Sequence, residues 1–206
     1  AAIQILGDDY RFPTEYSFNP DSKDLYIKGF GDPLFISEVI EQLCQKIIST
    51  TQTKQIHNII LDHNYFSEHI TIPGKGNSLN PYDAPVGALC ANFNTFMFKW
   101  DNNENKFISG ESQTPLLSIF NDDIKESNLK KGRIILSKQQ SILYPGLLIK
   151  YFLEKNDIKV TGSVLPGTFE GHDKEIFLSP FEIQDAVQKL LKYSNNYIAN
   201  QLLLTI

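Results

Sequence analysis

The sequence predicts an α+β protein, and three observations predict it. Segments rich in aromatic and β-branched residues alternate in strand fashion near the start of the chain. Segments at 33–50, 141–158 and 179–194 carry apolar residues at helical spacing. The composition, 41% hydrophobic and 21% charged over 206 residues, belongs to a globular protein able to bury a core of its own.

Taken in order, Ala1 to Leu6 reads as the last turns of an apolar helix stopped by Gly7. A helix met in its middle, and the uncapped apolar stretch NQLLLTI at the other end, predict a piece of a longer protein. YRFPTEYSF and KDLYIKGFG alternate as two strands around the turn NPDSKD. In PLFISEVIEQLCQKIIST, helical spacing sets Ile36, Val39, Ile40, Leu43 and Ile47 on one face, with a start near Ser37. QIHNIILDHNYF reads as a short buried strand ending at Asp62. The longest strand candidate is PVGALCANFNTFMFKW, on its aromatic content, and NLKKGRIILSKQQ is another.

SILYPGLLIKYFLEKNDI predicts a helix starting near Pro145, because proline suits a first turn. After the strand IKVTGSV, SPFEIQDAVQKLLKYS predicts a helix with Ser179 as cap and Pro180 in its first turn. The longest loops fall at 67–81 and 101–115, both rich in Gly, Asn and Ser.

Charge narrows the function classes. The net charge is −5, and arginine occurs only at Arg11 and Arg133, which argues against a protein that tracks nucleic-acid phosphates. No apolar run reaches the roughly 18 residues of a membrane span, and the N-terminus lacks the pattern of a signal peptide. Cys44 and Cys90 imply no disulfide framework and read as buried thiols.

The most informative stretch is LLKYSNNYIANQLLL, residues 190–204, in which Ser194, Asn195 and Asn196 break two apolar helical runs. Ser and Asn at such a bend read first as the cap of the following helix. A helical elbow also projects short polar groups into a cleft from a rigid support.

In order along the chain, LGDDYRFPT, LYIKGFGDPLF, IILDHNYF, YDAPVGALCANFN, FLEKNDIKVTGSV and LLKYSNNYIANQLL resemble the class C penicillin-binding proteins, the D-alanyl-D-alanine carboxypeptidase and endopeptidase family. The resemblance covers nearly the whole chain, and only Ser-x-Asn among its segments is a chemical motif. It implies a partial penicillin-binding, serine β-lactamase-like catalytic domain over 1–8 and 139–206. A strand-rich α+β domain is inserted over 9–138.

Such enzymes need a nucleophilic Ser-x-x-Lys, a Ser-x-Asn facing it, and Lys-Thr-Gly or Lys-Ser-Gly on an adjoining strand. A serine hydroxyl is a weak nucleophile until a base takes its proton, and a lysine one turn along does so when burial and nearby positive charge keep its amine neutral. By the resemblance Ser194 is the proton relay to the departing amine, and Asn196 holds the substrate carbonyl and the lysine. Asn195 points elsewhere.

The other two elements are not found in place. The literal match Ser127-Asn-Leu-Lys130 lies in a charged segment leading into a strand, and neither Lys130-Lys131-Gly132 nor Thr161-Gly162 fits the third motif. The resemblance puts the nucleophile just upstream of Ala1 and the third motif beyond Ile206. In the long loop, Lys75 and Asn77 stand about where relatives carry a Trp and an Asp for the diamino-acid side chain of the stem peptide. Losing that carboxylate removes a partner for an ammonium group.

The remaining candidates read as structural. Asp62, His63, Glu68 and His69 fit no compact zinc spacing. GFGDP lacks the Gly-x-Gly-x-x-Gly pattern and reads as a turn into the helix, with Asp32 near its N-terminus. Phe93, Phe96, Phe98 and Trp100 read as a packed sheet face.

The expected function is therefore acyl transfer on the peptidoglycan stem peptide by an exported protein, periplasmic or extracellular, using no metal or organic cofactor. β-Lactams are expected to acylate the intact protein and not this segment alone. The competing reading is a non-catalytic cell-wall protein that keeps the fold for binding or scaffolding.

Overall fold

The computed structural model describes residues 1–66, 83–171 and 173–206. In chain order the elements are α1 (Ala2–Leu6), β1 (Arg11–Phe18), β2 (Leu25–Gly29), α2 (Ser37–Thr51), β3 (Gln55–Ile56), β4 (Ile59–Asp62), β5 (Thr95–Asp101), β6 (Lys106–Ser109), α3 (Asn121–Ser127), β7 (Lys131–Ile135), α4 (Lys138–Lys155), β8 (Lys159–Val160), β9 (Val164–Pro166), β10 (Glu175–Glu182), α5 (Ile183–Tyr193) and α6 (Asn196–Thr205). The architecture is α+β, as the sequence predicts.

The main sheet has the order β10-β1-β2-β4-β9. β1 pairs antiparallel with β2 and β10, while β2–β4 and β4–β9 are parallel. Period-two alternation sends Leu25 and Ile27 of β2 into the core and leaves Tyr26 and Lys28 half-buried. Helices α2 and α4 cover that face, burying Val39, Ile40, Leu43 and Ile47 from one and Leu148, Ile149 and Phe152 from the other. α4 lies close on β4 and β9 because Gly146 carries no side chain. A Cβ there would stand 2.5 Å from Val164 Cγ1 and 2.8 Å from Leu61 Cδ1.

The smaller sheet, β6-β5-β7, closes the other side of the same core. Phe96 and Phe98 point inward, with the Phe96 ring stacked on Phe120 at 4.1 Å. Phe96 and Phe98 are thus a packed sheet face, whereas Phe93 lies in the turn before β5 and packs on Tyr197. One apolar cluster takes in side chains from Tyr16 to Leu136 and from Tyr144 to Val160, so the core runs across the position 138/139.

Four elements differ from the sequence reading. α4 begins at Lys138, where Ser137 and Gln140 cap each other's backbone reciprocally, and Pro145 sits inside the helix. Ser179 and Pro180 belong to β10, whose ladder to β1 wins over the local cap signal. Pro180 is tolerated there because β10 is an edge strand, and Glu182 with Asp185 caps α5 instead. The strand expected over 85–100 starts only at Thr95, since Asn92, Phe93 and Asn94 all take positive φ, 48°, 58° and 49°. The loop expected over 101–115 contains β6, turned from β5 by Asp101 Oδ1 accepting from the amides of Asn103 (2.7 Å) and Glu104 (3.3 Å).

Candidate functional site

The elbow of interest joins α5 to α6. α5 buries Ile183 and Ala186 and packs Val187 and Leu190 against a second apolar cluster that includes Phe12, Leu34, Ile198 and Leu202. Its start is fixed by Ile183 N donating to Tyr10 O at 2.8 Å. The Arg11–Glu182 ion pair at 2.6 Å lies beside it. Ala2 and Leu6 of α1 pack on the same cluster. The helix that opens the chain and the helical hairpin that closes it therefore share one core.

α5 ends at Ser194 in the left-handed conformation, φ 48° and ψ 44°. Asn195 follows in the extended region, and its Oδ1 accepts from the amides of Tyr197 (3.0 Å) and Ile198 (3.3 Å). Capping falls to the middle residue alone. The side chains of Ser194 and Asn196 are exposed, and neither has a hydrogen-bond partner among the described residues. The two outer side chains of the tripeptide thus have no partner among the described residues, while the middle one holds the bend.

Beneath α6 lies a buried polar group that sequence reasoning missed. Tyr197 is buried against Phe93, ring centroids 5.6 Å apart at 87°. Its hydroxyl adjoins the Cys90 thiol, which also accepts from Asn94 Nδ2 at 3.0 Å. Burial pushes Cys90 up to about 11, against the opposing pull of Tyr197 and Asn94. Burial likewise holds the Tyr197 phenol well above its usual range. Cys44 is the other free thiol, also buried and also raised by burial. A polar residue on an otherwise apolar helix face, such as Tyr197 or Gln201, was the available signal.

Asp32 sits at the foot of the same region. Its Oδ1 accepts from the Leu34 amide at 2.8 Å, fixing the turn before α2. Burial pushes its carboxyl up to about 6, and the Leu34 amide and the nearby Ser179 hydroxyl draw it partly back. The Ser179 hydroxyl is buried and makes no hydrogen bond of good geometry, so the amide is the firmer of the two.

With a folded-state value above the unfolded one, the folded protein holds the proton more tightly between about pH 4 and 6. The contribution of Asp32 to stability therefore falls as pH rises through that window. Asp32→Asn is expected to gain on the parent by on the order of 2 kcal/mol between pH 4 and pH 7. Denaturant unfolding at both pH values checks this; a pH-independent difference contradicts it.

The other sequence candidates are structural where they are described. Asp62 is buried, accepting from Phe169 N at 2.9 Å and Asn64 N at 2.8 Å, with Lys28 at 3.9 Å. His63 Nε2 donates to Ile142 O at 3.0 Å, and burial lowers its pKa. Among the described residues no three His, Cys, Asp or Glu side chains converge on a metal position. Glu68, His69, Lys75 and Asn77 lie outside the described residues. Ser127 ends α3, its hydroxyl on Ile124 O at 2.7 Å, and Asn128 at φ 56° breaks the helix before exposed Lys130. A Ser-x-x-Lys needs both residues on one helical face, so this pair is not one. No described helix is long and apolar enough to cross a membrane.

Comparison with known proteins gives this geometry a context. The fold resembles the crystal structure of penicillin binding protein 4 from Haemophilus influenzae, with a TM-score of 0.70 at 20% identity over 98% of this chain and 53% of that one. The same protein complexed with a novel β-lactam aligns with a TM-score of 0.59 at 16% identity, covering 98% and 51%. This chain spans about half the length of those structures. No curated protein sequence matches it. The model of the D-Ala-D-Ala carboxypeptidase 3 (S13) family matches residues 1–141. That match ends before the elbow. With the family model covering more than half of its length, the chain belongs to the D-Ala-D-Ala carboxypeptidase 3 (S13) family.

Proposed function

We propose that the full-length protein is a serine-type D-alanyl-D-alanine carboxypeptidase or endopeptidase acting on peptidoglycan stem peptides, and that this chain supplies its Ser-x-Asn element as Ser194 and Asn196. The observation that carries the reading is the division of labour at the elbow. Asn195 does the capping, and Ser194 and Asn196 stand exposed without partners among the described residues. The shared core of α1 with α5 and α6 supports it, because a Ser-x-x-Lys at the head of that first helix would face the same neighbourhood. Of the segments assigned to the catalytic domain, 1–8 and 139–206, these three helices carry the argument.

In the proposed reaction the nucleophilic serine attacks the carbonyl of the penultimate D-Ala and passes its proton to the lysine. The tetrahedral intermediate collapses with cleavage of the amide C–N bond. The departing D-Ala amine takes a proton relayed by the Ser194 hydroxyl, and water then hydrolyses the ester. Asn196 offers an amide N–H to the substrate carbonyl and its oxygen to the lysine ammonium. The substrate lies outside the cytoplasm, so the protein is placed in the periplasm or beyond the cell surface.

The test is uptake of a labelled penicillin by the full-length protein and by the 206-residue chain. Stoichiometric covalent labelling of the first and none of the second is expected. A folded full-length protein that stays unlabelled would show a non-catalytic wall protein instead.

A further inference from the structure

We infer that Gln201 is a positioning residue that sets the rotation of α6 about its own axis, and so the aim of Asn196. The inference rests on the reading of Ser194 and Asn196 as a catalytic element.

Gln201 is fully buried on a helix whose other inward side chains are mainly apolar. Its Nε2 donates to Gly87 O at 3.0 Å and, more weakly, approaches Gly31 O at 3.5 Å, while its Oε1 accepts from Gly87 N at 3.2 Å. One side-chain amide thus satisfies both backbone groups of Gly87. The two backbone segments it bridges also touch each other, with Gly31 N donating to Ala88 O at 2.7 Å. Gly31 has φ 85°, and a Cβ there would stand 3.1 Å from Thr205 Oγ1 and 2.5 Å from the Phe66 ring. No bulkier residue fits beneath the helix.

Tyr197, Gln201 and Thr205 recur at four-residue intervals and form one stripe along α6. Tyr197 meets Phe93 and Cys90, Gln201 meets Gly31 and Gly87, and Thr205 lies over Gly31. Apolar contacts alone let a helix roll by small angles at little cost, whereas paired amide hydrogen bonds fix a single orientation. Asn196 occupies the first turn of that helix, next to Tyr197. Its functional atoms lie roughly 6 Å from the helix axis. A roll of about 20° would carry them by about 2 Å, and a misplacement of about 1 Å can cost on the order of 100-fold in rate.

The experiment uses the full-length protein and reads the acylation rate constant with a labelled penicillin, below the melting temperature of each variant. Gln201→Met fills the same volume without hydrogen bonds and is expected to slow acylation at least tenfold. Gln201→Glu adds a readout that a purely structural role does not predict. A neutral carboxyl can donate to Gly87 O and accept from Gly87 N as the amide does, but a charged one cannot donate. Its acylation rate relative to the parent is therefore expected to recover as pH falls.

Parent-like rates for folded Gln201→Met, or a flat ratio for Gln201→Glu where Met does not fold, overturn the inference. Asn196→Ala separates the two readings: if it alone is slow, the elbow acts in catalysis without the clamp. If the parent takes up no penicillin, the catalytic reading fails by itself. Hydrogen exchange at Gly87 in Gln201→Met then decides the clamp, and unchanged protection of that amide overturns it.

Discussion

Asn196→Ala in the full-length protein is expected to slow acylation by a labelled penicillin about 100- to 1,000-fold, the range lost when one preorganised polar contact to the reacting carbonyl is removed. Its melting temperature is expected to stay close to the parent's. The two halves of the prediction have different physical sources. The Asn196 side chain is exposed and has no partner within the described chain, so truncation leaves no buried donor or acceptor unpaired. It also sits in the first turn of α6, where alanine is as good a helix former as any residue. Whatever the amide does, it does for no partner among the described residues.

Asn195→Ala should show the opposite pattern. Loss of the cap on Tyr197 N and Ile198 N costs about 1 kcal/mol. Any rate effect would then come through loosening of the elbow. Equal rate loss for Asn195→Ala and Asn196→Ala would mean that the elbow matters only as a bend, and the assigned roles would fall.

The elbow was legible in the sequence because two apolar helical runs bracket it, and periodicity reports helices reliably when one face is buried. Three polar residues at the break could not be told apart that way. Ser, Asn and Asn are all good caps, and only the backbone conformation decides which of them turns back on the helix. Ser194 in the left-handed region leaves Asn195 extended and aimed at the free amides of α6, which frees its neighbours.

The main hairpin and α2 were legible for the same reason, since local alternation and helical spacing there agree with tertiary burial. The misreadings have different causes, some a distant partner and some a stronger local signal. Ser179-Pro180 is a sound helix start in isolation, yet β1 draws those residues into a ladder more than 160 positions away in sequence. Pro145 reads as a first-turn residue, yet the Ser137 capping box starts the helix two turns earlier. Gln201 stood out as a polar residue on an apolar face, but its partners were not legible because they are backbone atoms of Gly31 and Gly87, about which periodicity carries no information.

Asn92→Ala is expected to destabilise the protein by about 3–5 kcal/mol, a loss that only a few mechanisms produce. Asn92 is buried where α2, α4 and the small sheet meet. Its Oδ1 accepts from Ser37 N at 2.9 Å, and its Nδ2 donates to Ser37 Oγ at 2.8 Å and Tyr144 OH at 3.1 Å. Ser37 Oγ in turn meets Thr114 Oγ1 at 3.0 Å. Ser37 is the first residue of α2, so its amide has no partner inside the helix. Removing the carboxamide strands that amide and the tyrosine hydroxyl in a space closed to water, at about 1–3 kcal/mol each. Alanine also tolerates the φ of 48° less well than asparagine does.

Asn92→Gly separates the two contributions. Glycine relieves the backbone and still loses the hydrogen bonds, so it should recover about 1 kcal/mol and no more. Thermal unfolding gives the totals, and hydrogen exchange at Ser37 N reports the bond directly, with protection lost in both variants. A glycine variant as stable as the parent would mean that left-handed strain, and not the polar network, is what asparagine relieves at this position. The join between the two sheets would then rest on apolar packing in the shared cluster, the Phe96, Phe120 and Tyr144 rings included.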